Sequence, residues 1–396
     1  MKNRVELLAP AGDLERLKIA LKYGADAVYV GGPLLNLRAN AINFTMDELA
    51  EGINYAHSLG KKVYVTVNII LHNKELDNVD DYLKKLSEIG VDAIIISDPI
   101  IIEIAKKYNI EIHISTQQST LNYEAVSFWK EQGVTRIVLA RECSREDIKE
   151  IMNKVDIEIE TFIHGAMCAG YSGRCVMSNV LTNRDANRGG CSQICRWDFE
   201  LLNEDQEVIR GDKPFTFCSK DLSMLKNIPE MIDMGITSFK IEGRMRSSYY
   251  IATVVSVYRR IIDNYYNNIN DSEYNRYEQI LDYCANRDSI VQFYDSNYDS
   301  SCSYYNGRVE VSNQDFLGIV IGYDKDSRIA TIEQRNFFKK GDVVEIFGPG
   351  HIYTYKIDDI YDEDGNLIDV VRHPKQIVTL HIDDTIDIDY MIRIKK

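Results

Sequence analysis

Apolar residues in roughly the first 250 positions come in short runs, and most runs follow a glycine that closes a longer amphipathic stretch. The unit appears as GADAVYVGG from Gly24, GKKVYVTVN from Gly60, GVDAIIISD from Gly90, GVTRIVLAR from Gly133 and GITSFKIEGR from Gly235. Glycine is the natural residue just past a helix C-terminus. The runs behind it are almost continuously apolar, as strands buried on both faces must be. VELLA at 5–9, EIHIS at 111–115 and IEIETFI at 157–163 bring the strands to eight. Helical spacing fills the intervals, for example over Asp80–Ile89 and Asn122–Gln132.

Eight βα units over about 250 residues predict a parallel (β/α)8 TIM-like barrel, with a doubly wound open sheet as the alternative. The chain has no G-x-G-x-x-G opening a helix and no Walker A run, the fingerprints a nucleotide-binding open sheet would carry. A barrel gathers its active site at the C-terminal strand ends. Those positions are Pro10, Gly31, Asn68, Asp98, Thr116 with Gln117, Arg141, His164, and Glu242 with Arg244.

The pattern changes after residue 246. A helix is expected over 247–264, then a Tyr-, Asn- and Asp-rich tract, and from Phe316 onward only strands separated by turn signals. The reading is a barrel over 1–265 with a cysteine-rich insertion at 164–220, a linker with helical pieces over 266–310, and a small β-barrel over 311–396. That last unit resembles the translation-factor type of RNA-binding barrel.

Composition adds limits. The 396 residues are 45% apolar and 27% charged, an ordinary globular mixture. The net charge of −15 speaks against unspecific coating of nucleic acid, although a local basic footprint suffices for an RNA enzyme. The start MKNRVELLAPAGD does not look like a signal peptide, and no apolar run approaches the roughly 20 residues of a membrane span. A reducing cytoplasm is therefore expected for the eight cysteines, with no membrane partner.

Four of those cysteines, Cys168, Cys175, Cys191 and Cys195, stand in one Gly- and Arg-rich stretch with gaps of six, fifteen and three residues. Grouped thiolates are soft metal ligands. Zinc favours two close C-x(2–4)-C pairs, and only Cys191 with Cys195 makes one. Irregular gaps suit a [4Fe–4S] cluster better. Cys218 is the alternative to Cys195 as the fourth ligand. The bland reading, four buried thiols acting as small hydrophobes, suits lone cysteines better than grouped ones.

HGAMC-x(4)-GRC-x-MSN followed by RGGC-x(3)-CRW resembles the collagenase-like peptidase family, and within it the branch of prephenate-dependent tRNA uridine hydroxylases. The likeness runs from LLAPAG near the start to KIEGRMRS near residue 246, with a weaker echo beyond. It implies 5-hydroxylation of a tRNA wobble uridine, with prephenate as hydroxyl source and a related partner chain in some bacteria. A ribosomal RNA cytidine is the other substrate in the family. Proteolysis lacks its signatures, since neither H-E-x-x-H nor G-x-S-x-G occurs. A non-catalytic RNA-binding protein with a structural cluster is the remaining reading.

For the site itself, His164 and Glu242 are candidate proton carriers. Arg141, Lys240 and Arg244 are candidate cations for a small dicarboxylate, since arginine forks meet carboxylates in bidentate fashion. Asn68 and Gln117 are neutral donors suited to orienting that substrate. Arg174, Arg184, Arg188 and Arg246 are candidate contacts to RNA phosphates. Surface salt bridges are the competing reading for Arg141, Lys240 and Arg244.

Overall fold

The computed structural model describes residues 4–37, 43–209, 213–269, 273–296, 298–305 and 315–395. The expected boundary near 310–311 lies outside the described residues. Seven strands, β1 (Glu6–Pro10), β2 (Ala27–Gly31), β3 (Lys62–Val67), β4 (Ala93–Ile96), β5 (Glu111–Ile114), β6 (Arg136–Val138) and β7 (Glu158–Gly165), pair in parallel in sequence order. Strands β8 (Leu201–Leu202), β9 (Val208–Ile209) and β10 (Asp221–Ser223) belong to the insertion. Strand β11 (Ser238–Ile241) then pairs with both β1 and β7 and closes the eight-stranded barrel.

Helices α1 (Leu14–Lys22), α2 (Met46–Ser58), α3 (Asn73–Glu88), α4 (Ile100–Lys107), α5 (Tyr123–Glu131) and α6 (Arg145–Lys154) follow the first six strands. Helix α7 (Met177–Thr182) sits in the insertion, and α8 (Ile228–Asp233) precedes β11. Their starts are set by side-chain caps: Asp13, Asn122 and Ser144 each accept a backbone N–H, and Thr45 with Glu48 forms a capping box. At the other end, Gly24 and Gly60 take φ of +113° and +66°, which reverses the chain into the next strand.

The barrel interior has two layers. Leu8, Tyr29, Tyr64 and Ile95 fill one. The other is ionic: Arg136 meets Glu6 at 2.6 Å, Glu158 at 2.8 Å and Glu160 at 3.2 Å, and Lys240 meets Glu160 at 2.6 Å. Burial works against the Glu160 charge, but the Lys240 and Arg136 cations hold its carboxyl below the usual range.

Helix α9 (Ser248–Tyr266) packs on α1, and α10 (Tyr274–Cys284) packs on α9. Tyr277, Ile280, Leu281 and Cys284 of α10 belong to the main hydrophobic core, and β12 (Ser289–Ile290) pairs with β10. Residues read from composition as a linker thus include a packed layer of the barrel domain. Polar Tyr- and Asn-rich composition hid the apolar stripe that α10 buries.

The C-terminal strands are β13 (Phe316–Asp324), β14 (Ile329–Gln334), β15 (Phe338–Lys339), β16 (Val343–Gly348), β17 (His351–Lys356), β18 (Ile360–Tyr361), β19 (Leu367–Ile368), β20 (Val370–Val371), β21 (Ile377–His381) and β22 (Met391–Ile394). They form an antiparallel eight-stranded sheet and a small β15–β20 ribbon around a second core. This domain leans on the barrel: Phe316 stacks on Tyr249 at 4.6 Å, and Tyr23 meets Phe347 edge-on at 5.9 Å. Among the described residues, no helix is long and apolar enough to cross a membrane.

Candidate active site at the barrel mouth

The strand ends place several charged and polar groups on one rim. Arg141, just past β6, reaches Glu242, just past β11, at 3.1 Å. Its guanidinium lies over the Phe162 ring, 3.9 Å from the centroid. That stacking uses the flat face of the cation and leaves its edge for hydrogen bonds. Arg244 is buried and donates to Asn43 Oδ1 at 2.7 Å, Thr66 Oγ1 at 3.1 Å and Asn36 Oδ1 at 3.3 Å. Those three acceptors are neutral and orient the guanidinium. Gly31 makes the room: a Cβ there would stand 2.1 Å from Arg244 Nη2.

Asn68 follows β3 and Gln117 follows β5, with β4 between them. Asn68 Oδ1 accepts the Leu37 N–H at 3.3 Å, and Gln117 Oε1 accepts from Ser97 Oγ at 3.3 Å. Gln117 also lies beside Gly173 of the cysteine loop. Lys240 differs from its expected place. It is buried inside the barrel, on Glu160 and 4.5 Å from the Tyr29 ring centroid, and is not presented at the rim. Strand parity explains this, because Lys240 lies level with Leu8 and Phe162 in the ladder and turns its side chain into the barrel, onto Glu160.

His164 is also placed differently from its proposed role. Its ring is buried against α9, with Nδ1 3.2 Å from Tyr258 Oη. Burial first, and the Arg246 charge second, push its pKa down to about 3. A ring held neutral across the working pH range is a poor proton carrier. Glu242 therefore remains as the half-buried carboxylate of the rim.

The arginines proposed for RNA divide into two pairs. Arg188 forms a fork on Glu75, at 2.6 and 2.9 Å, and donates to Ile70 O at 2.8 Å. Its hydrogen bonds hold the Glu75 carboxyl down to about 2. Arg246 is half-buried, 3.3 Å from Asp221 and 4.8 Å from the Tyr250 ring centroid. Both are committed to internal partners, which corrects the expectation that they face RNA. Arg174 and Arg184 are exposed, and Arg174 donates to Gln118 Oε1 at 3.2 Å.

The cysteine loop leaves β7 directly. Cys168 feels the charges of Cys175 and Cys191, and Cys195 those of Cys168, Cys218 and Cys191. The loop thiols therefore share one neighbourhood, and Arg141 is close enough to act on Cys168. Burial raises the Cys168 thiol and pushes Cys195 up to about 11. The Gly170 N–H points at Cys168 Sγ, 3.4 Å away. A Cβ on Gly170 would lie 2.6 Å from Arg174 O and 3.0 Å from Cys175 Cβ, so the turn is closed by contact. Asn187 pins Cys175 through its backbone N–H and carbonyl, both at 3.2 Å. Cys218 is fully buried behind the loop, with Arg287 Nη1 3.6 Å from its sulfur and Ser219 O accepting its thiol at 3.6 Å.

Among the described residues, no group of three or more His, Cys, Asp or Glu converges as ligands of a single metal ion. A mononuclear site needs all its ligands within about 2.0–2.3 Å of one centre. A cube presents a separate iron to each thiolate, so it does not require convergence of its ligands on one point.

Residues 12–303 match the family model described as peptidase family U32, and residues 312–393 match that of the peptidase family U32 C-terminal domain. The chain belongs to peptidase family U32. A Bacillus subtilis relative of this U32 chain, "tRNA hydroxylation protein P1", is 51% identical over 400 residues, covering 99% of this chain and 95% of the relative. The Escherichia coli "tRNA hydroxylation protein P" is 32% identical over 98% of this chain and 96% of its own length. The Escherichia coli "23S rRNA 5-hydroxycytidine C2501 synthase" is 41% identical over 66% of this chain and 40% of its own.

Several site residues of this U32 chain escape a sequence reading. Phe162 and Thr66 share strand parity with the inward-facing Glu160 and Tyr64, a signal that strand alternation could have supplied. Asn36, Asn43 and Glu142 lie in loops and carry no such signal. Glu142 accepts the Ser172 N–H and hydroxyl, both at 2.7 Å, where Ser172 takes a left-handed φ of +48°.

Proposed function

We propose that this U32 chain is a tRNA-modifying hydroxylase, acting at C5 of the wobble uridine with prephenate as the hydroxyl source. The observation that carries the reading is the 51% identity, along nearly the whole of both chains, to a protein named for tRNA hydroxylation. The likeness to the 23S rRNA synthase covers 66% of this chain and supports the broader class, RNA hydroxylation.

The rim suits a small dicarboxylate. The Arg141 guanidinium, which also holds Glu242, and the oriented cation of Arg244 are two places where carboxylates gain charge-assisted hydrogen bonds. Asn68 and Gln117 orient the substrate between them, and Glu242 accepts or returns a proton. Cys168, Cys175, Cys191 and Cys195 would hold a [4Fe–4S] cluster, whose chemistry when bound is electron exchange. A cysteine peptidase needs its thiol paired with a histidine. Here His164 bonds Tyr258 and His113 bonds Glu111, while the Cys143 thiol bonds a backbone oxygen.

The test is nucleoside mass spectrometry of tRNA from a deletion strain. Wild-type protein should restore hydroxyuridine. Arg141→Ala and Arg244→Ala should fail to do so while keeping about four iron and four sulfide per chain, as the cluster type requires. Hydroxylation that persists in the deletion strain, or in a strain unable to make prephenate, overturns the corresponding part of the reading. Stoichiometric zinc in anaerobically purified protein overturns the cluster.

A further inference from the structure

The insertion exposes rings and aliphatic side chains that no part of the described chain covers. Val180 is 77% exposed, Leu181 52%, Tyr171 54% and Trp197 47%. Val180, Leu181 and Trp197 lie on adjoining segments. Helix α7 packs against the turn at 194–196 that leads into Trp197. Ser178 Oγ accepts the Ser192 N–H at 3.1 Å, and Thr182 Oγ1 meets Ser192 Oγ at 2.9 Å, which ties the two segments side by side. Tyr171 is linked through its carbonyl to the Arg174 N–H at 2.9 Å, just ahead of the helix.

Charge accompanies these groups. Arg174 stands before α7 and Arg184 after it, both exposed, and neither has a carboxylate partner among the described residues. In a chain of net charge −15, this sets them apart from Arg188 and Arg246, which are held by Glu75 and Asp221. The acidic hairpin carrying Glu204, Asp205 and Glu207 follows Trp197 in the chain.

Exposed rings beside arginines that no carboxylate neutralises suit one partner chemistry: single-stranded RNA. Bases with free faces stack on rings, and the phosphates between them meet the cations. A duplex offers phosphates but no free base faces. We propose that the α7–Trp197 surface is a stacking platform for unpaired nucleotides, with Trp197 and Tyr171 taking bases and Arg174 and Arg184 the backbone. The inference rests on the reading of this chain as an RNA hydroxylase and specifies how it would choose a loop over a helix. It also replaces Arg188 and Arg246, which are held internally, as the means of RNA contact.

The chain has two tryptophans, and Trp129 is 8% exposed within the core, so Trp197 serves as a reporter. The experiment titrates the full-length, iron-loaded protein with an RNA hairpin that has an unpaired loop, and with a fully paired duplex of the same stem. The hairpin should quench tryptophan emission and the duplex should not. Trp197→Leu should lose the quench and bind the hairpin roughly tenfold more weakly, the effect of one lost stacked base. Trp197→Phe should retain binding, and all three proteins should carry equal iron, which separates stacking from misfolding. Arg174→Glu and Arg184→Glu should each reduce the salt slope of hairpin binding by about 0.7. Equal binding of hairpin and duplex, or hairpin affinity untouched by Trp197→Leu, overturns the proposal. So does a concentration-dependent change in Trp197 emission without RNA, which would assign the surface to a second protein copy. Hydroxylation is read separately from cellular tRNA, so failure of the platform leaves the enzymatic reading standing, and the reverse.

Discussion

Replacing His164 with asparagine removes a titrating ring while keeping a hydrogen-bond donor. Tyr258 Oη donates to Ile163 O at 3.0 Å, so it accepts from His164 Nδ1, and the bonding pattern assigns the ring proton to Nδ1. The asparagine amide can donate in its place. The magnitude follows from the pKa. An unfolded histidine titrates near 6.5, and His164 in the fold titrates at about 3. Between those values the unfolded chain binds a proton that the folded chain refuses. Stability is thus fully present above about pH 6.5 and falls as pH drops toward 3. From about pH 7.5 to about pH 5 the loss amounts to about 2 kcal/mol, at 1.36 kcal/mol per unit. The variant also loses ring packing on Tyr258 and Tyr250, a cost of about 1–3 kcal/mol that does not vary with pH. His113, also buried and pushed down by burial, contributes equally to both proteins and cancels. Urea unfolding of both proteins at the two pH values is the assay. Wild type should lose about 2 kcal/mol more than His164→Asn on acidification. Parallel losses would refute the argument. Loss of hydroxylation in His164→Asn with iron intact would return His164 to a catalytic role.

Arg136→Met leaves Glu6 and Glu158 without their cation and the buried Glu160 with Lys240 alone, so thermal unfolding should register about 3–5 kcal/mol of destabilisation; a shift below about 1 kcal/mol would mean water reaches the barrel interior. Gly31→Ala drives a methyl group into the Arg244 guanidinium and should cut hydroxylation on the order of a hundredfold with RNA affinity unchanged, measured by single-turnover nucleoside analysis. Arg188→Gln breaks the fork on Glu75 and should cost about 1.5–3 kcal/mol, with faster proteolysis of the cysteine loop. Its salt slope for RNA should equal that of wild type, and a reduced slope would show that Arg188 meets phosphates after all.

Two kinds of information in the chain were local enough to be legible. The eight barrel strands announce themselves because a strand covered on both faces must be apolar throughout, and the glycines before them because the turn needs a left-handed residue. The cysteine group was equally plain, its members lying within a single connection after β7. Strand β22 was missed because MIRI is four residues long and interrupted by Arg393, which is paired to Glu345 inside the sheet. Charged side chains were the least legible. Arg188 finds Glu75 113 residues away, Arg244 finds Asn36 208 residues away, and Arg136 finds Glu6 130 residues away. The sequence states that a residue is a cation; only closure of the barrel determines which acid, ring or amide stands within hydrogen-bond reach. That is why Lys240 and His164 looked like rim chemistry and proved to be interior packing, while Trp197, a surface residue with no periodic signal, became visible only when the fold left it uncovered.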